Sequence, residues 1–431
     1  VVKLNLKGRK KVIKMTEREF AARIAALGGT AYIAGGWVRD YLRGVAAKDK
    51  DYVIEGVAKT DFVKAFSAAE PVGSSFPVYL IDIDGVKCEV AFARCEKKNG
   101  TGYKGFDVFF DTSVSIVEDL YRRDTTVNSM AWRIADGKII DPYNGRADIA
   151  KKILRPVSEH FCEDPVRAIR AARQAAELGF SLTEEIVAAM RRCKKEIGGE
   201  PSARFVNELK RALNAKKPSV FFRALQRADI LAAIYPWLYA LIGQSQPPEY
   251  HPEGDAFEHT MAVVDFVAAK NISEDAVFCA LVHDIGKGVT PKEALPHHIG
   301  HEQAGLKVLD DWNSKMTLPK AWLKKARFVI SEHMRVAVLK KAGKIVDFVV
   351  ALEKNPLTIA EFAAVIAADN GGRLPLALRL YDAIREKIAS IDYKAIQARA
   401  KEKNQQAKIA CLVREARLKA CQEIILQEVQ P

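Results

Sequence analysis

The chain has 431 residues, of which 49% are apolar and 28% charged. This balance excludes wholesale disorder, and with 26 Gly and 17 Pro scattered unevenly it excludes a collagen-like or low-complexity fibre. At roughly 150 residues per domain it holds about three domains. The net charge of +13 comes from 67 basic and 54 acidic residues. The excess gathers in residues 1–24, with 8 basic against 2 acidic, and in residues 151–227, with 17 against 9. Such clustering points to a polyanionic partner (nucleic acid, nucleotide or anionic lipid), the alternative being a merely soluble basic surface. Seven cysteines, with no CxxC pair, argue against a disulfide framework or a cysteine zinc site and fit a reducing cytosol. The opening segment VVKLNLKGRKKVIK lacks the apolar core of a secretory signal, and no apolar run reaches about 18 residues. No membrane span is therefore predicted, and a cytoplasmic location is expected.

In chain order, residues 30–110 read as strands. YIAGG ends in a glycine turn, and DYVIEGV is β-branched. VYLIDI and VKCEVAFAR flank Asp84-Gly85, a two-residue hairpin turn. Beyond about residue 150 the strand signals fade. EDPVRAIRAARQAAELGF, TEEIVAAMRRCKKEI and, after the punctuation GGEPS, ARFVNELKRALNA have helical spacing. A connector bearing Pro and Gly runs from Pro236 to Asp255, a His-bearing helical region follows to about residue 373, and the tail reads as helices with a basic face. The predicted class is an α+β N-terminal domain followed by an all-helical body in two or three parts.

The chemistry begins at Gly35-Gly36, which precede Arg39. Glycines before a helix let backbone N–H groups approach phosphate, and Arg39, one turn in, could grip a triphosphate. Asp49 and Asp51, two apart, are expected on one face of a strand, where two carboxylates repel unless a cation lies between them. Oxygen ligands suit Mg²⁺, and a pair of such ions can activate an attacking hydroxyl and stabilise leaving pyrophosphate. Glu89, in the hairpin, is placed to supply a third acid. A DxD at a strand edge is otherwise commonly just solvated.

GGWVRDYLRGVAAKDKDYVI resembles the first motif of the class II polymerase-β-type nucleotidyltransferases, the bacterial CCA-adding enzymes and poly(A) polymerases. ARCEKKNGTGYKGF, RRDTTVNSMA, IIDPYNG and EDPVRAIRAAR follow in the family's order. The resemblance implies a nucleotidyltransferase head over 1–150, a helical neck and body over 151–240, a phosphohydrolase-type domain over 241–375 and an RNA-binding tail over 376–431. It implies that Arg123, Asp124 and Asn128, read as a helical RRD segment, contact ribose and triphosphate. It also implies that Asp164 and Arg167, three apart on a helix, hydrogen-bond the incoming base in place of a template, with Arg170 and Arg173 on its phosphates. A surface ion-pair helix, or a basic face laced with Glu177, is the ordinary alternative. The loop Arg94 to Phe106, with Gly100 and Gly102, is expected to be mobile and is of the length linked with adding all three nucleotides. Trp37, Gln174 and Ser129-Met130 depart from the family's usual residues.

Six of the eight histidines lie between 259 and 333. His259, His283-Asp284 and Asp369, with His301 and His333 for a second ion, resemble the ligand set of HD phosphohydrolases. Imidazoles mixed with carboxylates suit a divalent transition metal such as Ni²⁺ or Mn²⁺. A fold that keeps only the shape is the alternative. The expectation is thus an enzyme that adds C, C and A to tRNA from CTP and ATP, recognising the acceptor arm and elbow, and also hydrolyses phosphomonoesters or 2′,3′-cyclic phosphates. A poly(A) polymerase, an A-adding or CC-adding enzyme, and an RNA-binding phosphohydrolase stay open, as do monomer and homodimer.

Overall fold

The computed structural model describes residues 15–47, 49–72, 77–100, 105–249, 251–402 and 406–429. The basic opening segment 1–14 and the loop tip containing Gly102 lie outside them. The chain forms two compact units, Val1–Pro201 with Arg223–Ile234, and Ser202–Phe222 with Tyr235–Pro431.

The first unit opens with α1 (Glu17–Ala26), closed by a reciprocal cap between Thr16 and Glu19. A seven-stranded sheet follows. It contains β1 (Thr30–Ala34), β2 (Asp51–Glu55), β3 (Glu70–Val72), β4 (Val78–Ile83), β5 (Val86–Phe92), β8 (Ala131–Arg133) and β9 (Ile139–Ile140), in the order β3-β4-β5-β2-β1-β8-β9. Its pairings are antiparallel except β2 with β5. The predicted hairpin is present: Asp84 and Gly85 have φ of 54° and 84°, the two positive values that a tight primed turn requires. Both faces of the central strands are covered. Ile33, Tyr52 and Ile54 pack with Phe20 and Phe62 on one side, and Tyr32, Ala34 and Val53 with Leu120 on the other. This explains why YIA and YVI read as unbroken apolar runs.

Two expectations are corrected here. The segment 94–106 is not simply a loop: β6 (Cys95–Lys98) and β7 (Phe106–Phe109) pair as an antiparallel ribbon, Cys95 opposite Phe109. Strands β8 and β9 lie beyond residue 110; with three and two residues, they are too short to show a period. The rest of the unit is mostly helical, and includes α2 (Gly36–Leu42), α3 (Lys59–Ala65), α4 (Ile116–Tyr121), α5 (Gly145–Lys151) and α6 (Val166–Leu178), with one short parallel pair, Ile153–Leu154 beside Ser181–Leu182, in the segment expected to be helical. The second unit is built of helices, and no helix among the described residues is long and apolar enough to cross a membrane.

Candidate active sites

Both ladders of β1 end at Ala34, which pairs with Asp51 on one side and Ala131 on the other. Gly35 then turns the chain into α2 with φ 81°, its N–H donating to Met130 O at 3.0 Å. A Cβ there would lie 2.8 Å from Arg123 Nη1, so a side chain meets both strain and a guanidinium. Because β1 stops, β2 has no partner before Asp51. The expected same-strand pair is therefore corrected: Asp51 opens the strand and Asp49 lies on the unpaired approach to it.

The acids still act on one another. Burial raises the Asp51 pKa above the usual carboxylate range, Glu89 and Asp49 raise it further, and Arg123 opposes them. Glu89 directly precedes Val90, the parallel partner of Tyr52, so it runs beside Asp51. All three residues are exposed. Their ligand atoms do not form a set lying within 4.8 Å of one another.

The RRD segment is also corrected. Arg122 caps α4, and Arg123 and Asp124 lie beyond the helix. Asp124 Oδ1 accepts from Thr125 N at 2.8 Å, a local bond that competes with the helical ladder. Asp119, 1% exposed, pairs with Arg122 at 2.7 Å and Arg123 at 2.9 Å. Burial would raise its pKa, and the two guanidinium groups overcome this and hold it at about 2.

Four of the proposed nucleotide-binding residues form one chain of bonds. Arg39 Nη1 donates to Asn128 Oδ1 at 2.7 Å, Asn128 Nδ2 to Asp124 Oδ1 at 3.2 Å, and Arg170 Nη2 pairs with Asp124 Oδ2 at 2.9 Å. Gln174 completes it, donating to Asp124 Oδ2 at 2.9 Å and accepting from Thr125 Oγ1 at 2.7 Å. Asp124 is buried, and these donors, Arg170 foremost, hold its pKa low against the burial that would raise it.

Helix α6 presents the remaining residues. Asp164 Oδ1 accepts from Val166 N at 3.1 Å at its start. Arg167 is buried, donating to His160 O at 2.5 Å and lying 3.8 Å from Glu96. Arg173, 3% exposed, is paired with Glu177, the ordinary alternative raised for it.

In the second unit, six residues from separate segments converge. His259 comes from the helix Ala256–Ala269, and His283-Asp284 follow the helix Glu274–Val282. His301 opens His301–Lys315, His333 lies in Lys320–Ala337, and Asp369 ends Ile359–Asp369. Gly286 permits the approach, since a Cβ on it would lie 1.9 Å from the His301 carbonyl oxygen. Two ligand sets result: His259, His283, Asp284 and Asp369, and Asp284, His301 and His333. Asp284 belongs to both. Its Oδ2 is 3.2 Å from His283 Nε2 and 3.6 Å from His259 Nε2, and its Oδ1 is 3.2 and 3.3 Å from His301 and His333 Nε2.

Every one of these imidazoles has an oxygen at its far nitrogen: Glu253 for His259, and the carbonyls of Ala280, His298 and Ile330 for His283, His301 and His333. With Nδ1–H donated outward, each Nε2 lone pair faces the cluster, the arrangement of metal-ligating histidines. Asp284 is 1% exposed, its Oδ2 is paired with Lys287 Nζ at 2.6 Å, and both oxygens face imidazole nitrogens across the cluster. Burial alone would lower the pKa of His283, but Asp284 and Asp369 overcome it and lift it to about 10, so the carboxylates favour positive charge here. The donor set thus fits divalent ions. His298 is elsewhere engaged, with Thr290 Oγ1 at 2.8 Å and Ser245 O at 3.0 Å.

Sequence reasoning missed Asp119, Glu253 and Lys287, and noted Gln174 only as a departure. Lys287 was findable: three residues after Asp284, it lies one turn along, with its amine 2.6 Å from Asp284 Oδ2.

Three family models match the chain: the poly A polymerase head domain over residues 31–155, a probable RNA and SrmB-binding site of polymerase A over 179–241, and the HD domain over 256–416. Fold and sites together define a polymerase-type nucleotidyltransferase head joined to an HD unit. The chain belongs to the family of multifunctional CCA proteins. It is 39% identical over 396 residues to the multifunctional CCA protein of Cupriavidus metallidurans, covering 88% of this chain and 94% of that one. It is 38% identical over 359 residues to that of Acinetobacter baumannii, covering 81% and 86%. Among solved structures, a CCA-adding enzyme in an apo form is similar with TM-score 0.65 at 18% identity, over 96% of this chain and 94% of that one. A tRNA nucleotidyltransferase complexed with a primer tRNA and an incoming ATP analog is similar with TM-score 0.58 at 20% identity, over 86% and 99%. At these identities the two likenesses concern the fold.

Proposed function

We propose that this chain adds C, C and A to the 3′ end of tRNA from CTP and ATP, releasing pyrophosphate, and that its HD unit is a metal-dependent phosphohydrolase acting on phosphomonoesters or 2′,3′-cyclic phosphates. The observation that carries the first half is the chain of bonds Arg39–Asn128–Asp124–Arg170, which joins residues from three separated motifs. In this reading Asp49 and Asp51 hold Mg²⁺, which when bound supplies activation of the tRNA 3′-hydroxyl and neutralises the leaving pyrophosphate. Glu89 supports that pair from the neighbouring strand. Arg39, Arg123 and Arg170 offer guanidinium groups to the triphosphate beside Gly35 and Gly36; Asn128 orients Arg39, Asp119 orients Arg123 and Asp124 orients Arg170. Asp164 and Arg167 read the base edge, and Arg173 braces their helix through Glu177.

The HD half rests on the outward-bonded imidazoles and the shared carboxylate Asp284. Ni²⁺ or Mn²⁺ suits that donor set. The division at residues 150, 240 and 375, a basic tail for tRNA and a cytoplasmic location belong to the same proposal.

The test is extension of a tRNA lacking CCA, read at nucleotide resolution. CTP alone should add two residues, and CTP with ATP should add three. Extension by ATP alone into a long tract, with CTP unused, would instead mark a poly(A) polymerase.

A further inference from the structure

Two nucleophilic side chains of the first unit have no part in the chemistry above. Cys162 lies in the 3₁₀ turn Glu159–Glu163, and Cys193 caps the helix Glu184–Arg192. Both are free thiols. Cys162 Sγ donates to Ala189 O at 3.5 Å, and Cys193 Sγ to the same oxygen at 3.4 Å. Two separate segments thus bring their sulfurs to one carbonyl. Cys162, and after it burial, pushes the Cys193 thiol up, which keeps the proton on Cys193. Cys193 is 2% exposed and Cys162 half-buried, so Cys162 is the sulfur of the pair that a solute reaches first. Cys88, Cys95 and Cys411 donate instead to Val86 O, Phe109 O and Glu415 Oε1, and Cys279 and Cys421 are buried. An accessible thiol with a second thiol beside it is the arrangement that oxidises reversibly.

We propose that Cys162 and Cys193 are a site of reversible oxidation by peroxides, and that their disulfide alters nucleotide selection through the segment that supports Arg167. The Cys162 sulfur attacks one peroxide oxygen, the O–O bond breaks, and the leaving hydroxide takes the Cys162 proton as water, giving a sulfenic acid. The Cys193 sulfur then attacks that sulfur, the S–O bond breaks, and the departing hydroxide takes the Cys193 proton as a second water. Each sulfur gives up one electron and the peroxide accepts both. To bond, the sulfurs must leave Ala189 O. Ile186, Val187, Ala189 and Met190 fix the helix Glu184–Arg192 in the core, so closure is taken up in the segment 160–164. That segment carries the base-reading pair on both flanks of Cys162: the His160 carbonyl accepts from Arg167 at 2.5 Å, and Asp164 accepts from Val166 N at the start of α6. The effect on selection rests on the reading of Arg167 as a base reader; the oxidation itself does not.

The experiment treats the full-length protein with stoichiometric hydrogen peroxide and maps its peptides without reduction. The Cys162–Cys193 bridge should be the first product, each bridged molecule lighter by a pair of hydrogen atoms, and dithiothreitol should reverse it. Oxidation that falls first on another cysteine, or that takes Cys162 to a sulfinic acid in wild type, overturns the proposal. Cys193→Ala removes the resolving thiol, so the sulfenic acid on Cys162 should persist and be trapped by dimedone more than in wild type; equal trapping also overturns it. Because Cys193 is buried, thermal melting is read on the same samples, and the wild-type peptide map stands without the variant.

Single-nucleotide extension of tRNA is read in parallel on reduced and oxidised wild type. The ratio of CTP to ATP and GTP use should change at least about fivefold on oxidation, the low end of coupling between distinct sites. Dithiothreitol should restore it, and Cys162→Ser should show no change under the same peroxide. A bridge that forms and leaves extension unaltered overturns the proposal. A bridge that lowers use of all three nucleotides equally removes base reading by Arg167 and upholds the dithiol. An absent bridge, with the ratio still changed by Arg167→Ala, does the reverse.

Discussion

Asp51 reaches solvent, but the protein around it partly strips its carboxyl of water, and this desolvation, with Glu89 and Asp49, pushes it upward against Arg123. A group held against its own preference gains most from a cation, and its removal relieves repulsion. Asp51→Ala and Asp49→Ala should therefore bring nucleotide addition down to background while the melting temperature stays within about 2 °C of wild type. Near wild-type extension of tRNA in Mg²⁺ would end the proposal for these acids. Asp119 behaves in the opposite sense. Its folded pKa of about 2 lies below its ordinary value of 3.8. The stability it brings is complete above about pH 4 and is lost as the pH falls towards 2. Holding that buried carboxyl in its charged form contributes about 2 kcal/mol of stability at neutral pH. Urea unfolding between pH 5 and pH 2 should show a steeper loss for wild type than for Asp119→Asn; parallel curves would contradict the assignment.

In the proposed function, helix α6 is the element on which base reading and head chemistry meet. Asp164 and Arg167 stand at its start, and Arg170 and Gln174 reach Asp124 from its middle. Arg167→Ala should alter the ratio of CTP to ATP and GTP use more than it slows total incorporation, read by single-nucleotide extension; a uniform loss with all three would count against base reading. Gln174→Leu leaves the Thr125 hydroxyl without its acceptor in a buried site and should cost about 1–3 kcal/mol in chemical denaturation. The hairpin, the apolar central strands and α6 were readable from local pattern, because turn chemistry and helical spacing are properties of neighbouring residues. The end of α4 before Asp124 and the start of β2 at Asp51 were not. The first depends on one carboxylate choosing a backbone N–H over the helix, and the second on where β1, 17 residues earlier, runs out. The candidate histidines were likewise recoverable from type and order. Glu253 was not, since a carboxylate behind an imidazole leaves no spacing signature.

At the scale of the molecule, the head acids belong to one compact unit and the histidine cluster to the other. His283→Ala removes a ligand from a site 24 residues beyond His259 and leaves Asp49, Asp51 and Glu89 untouched. Metal-dependent hydrolysis of 2′,3′-cyclic phosphate should fall to background while tRNA extension persists. Because His283 is buried against Asp284, the variant is checked by thermal melting before assay. Full hydrolysis by a folded variant would remove the cluster from the chemistry.

The end of the β1 ladder has a kinetic consequence. Tyr52, Val53 and Ile54 sit between two strands, paired with β1 on one side and β5 on the other, whereas Asp49 and Lys50 precede all pairing. Amide hydrogens in the first group are expected to exchange with solvent only on global opening, and those in the second within the time of local fluctuation. One acid is therefore anchored and the other adaptable. Within residues 49–54, exchange mass spectrometry with and without CTP should register the nucleotide as new protection at Asp49 and Lys50, with the amides from Tyr52 to Ile54 already silent.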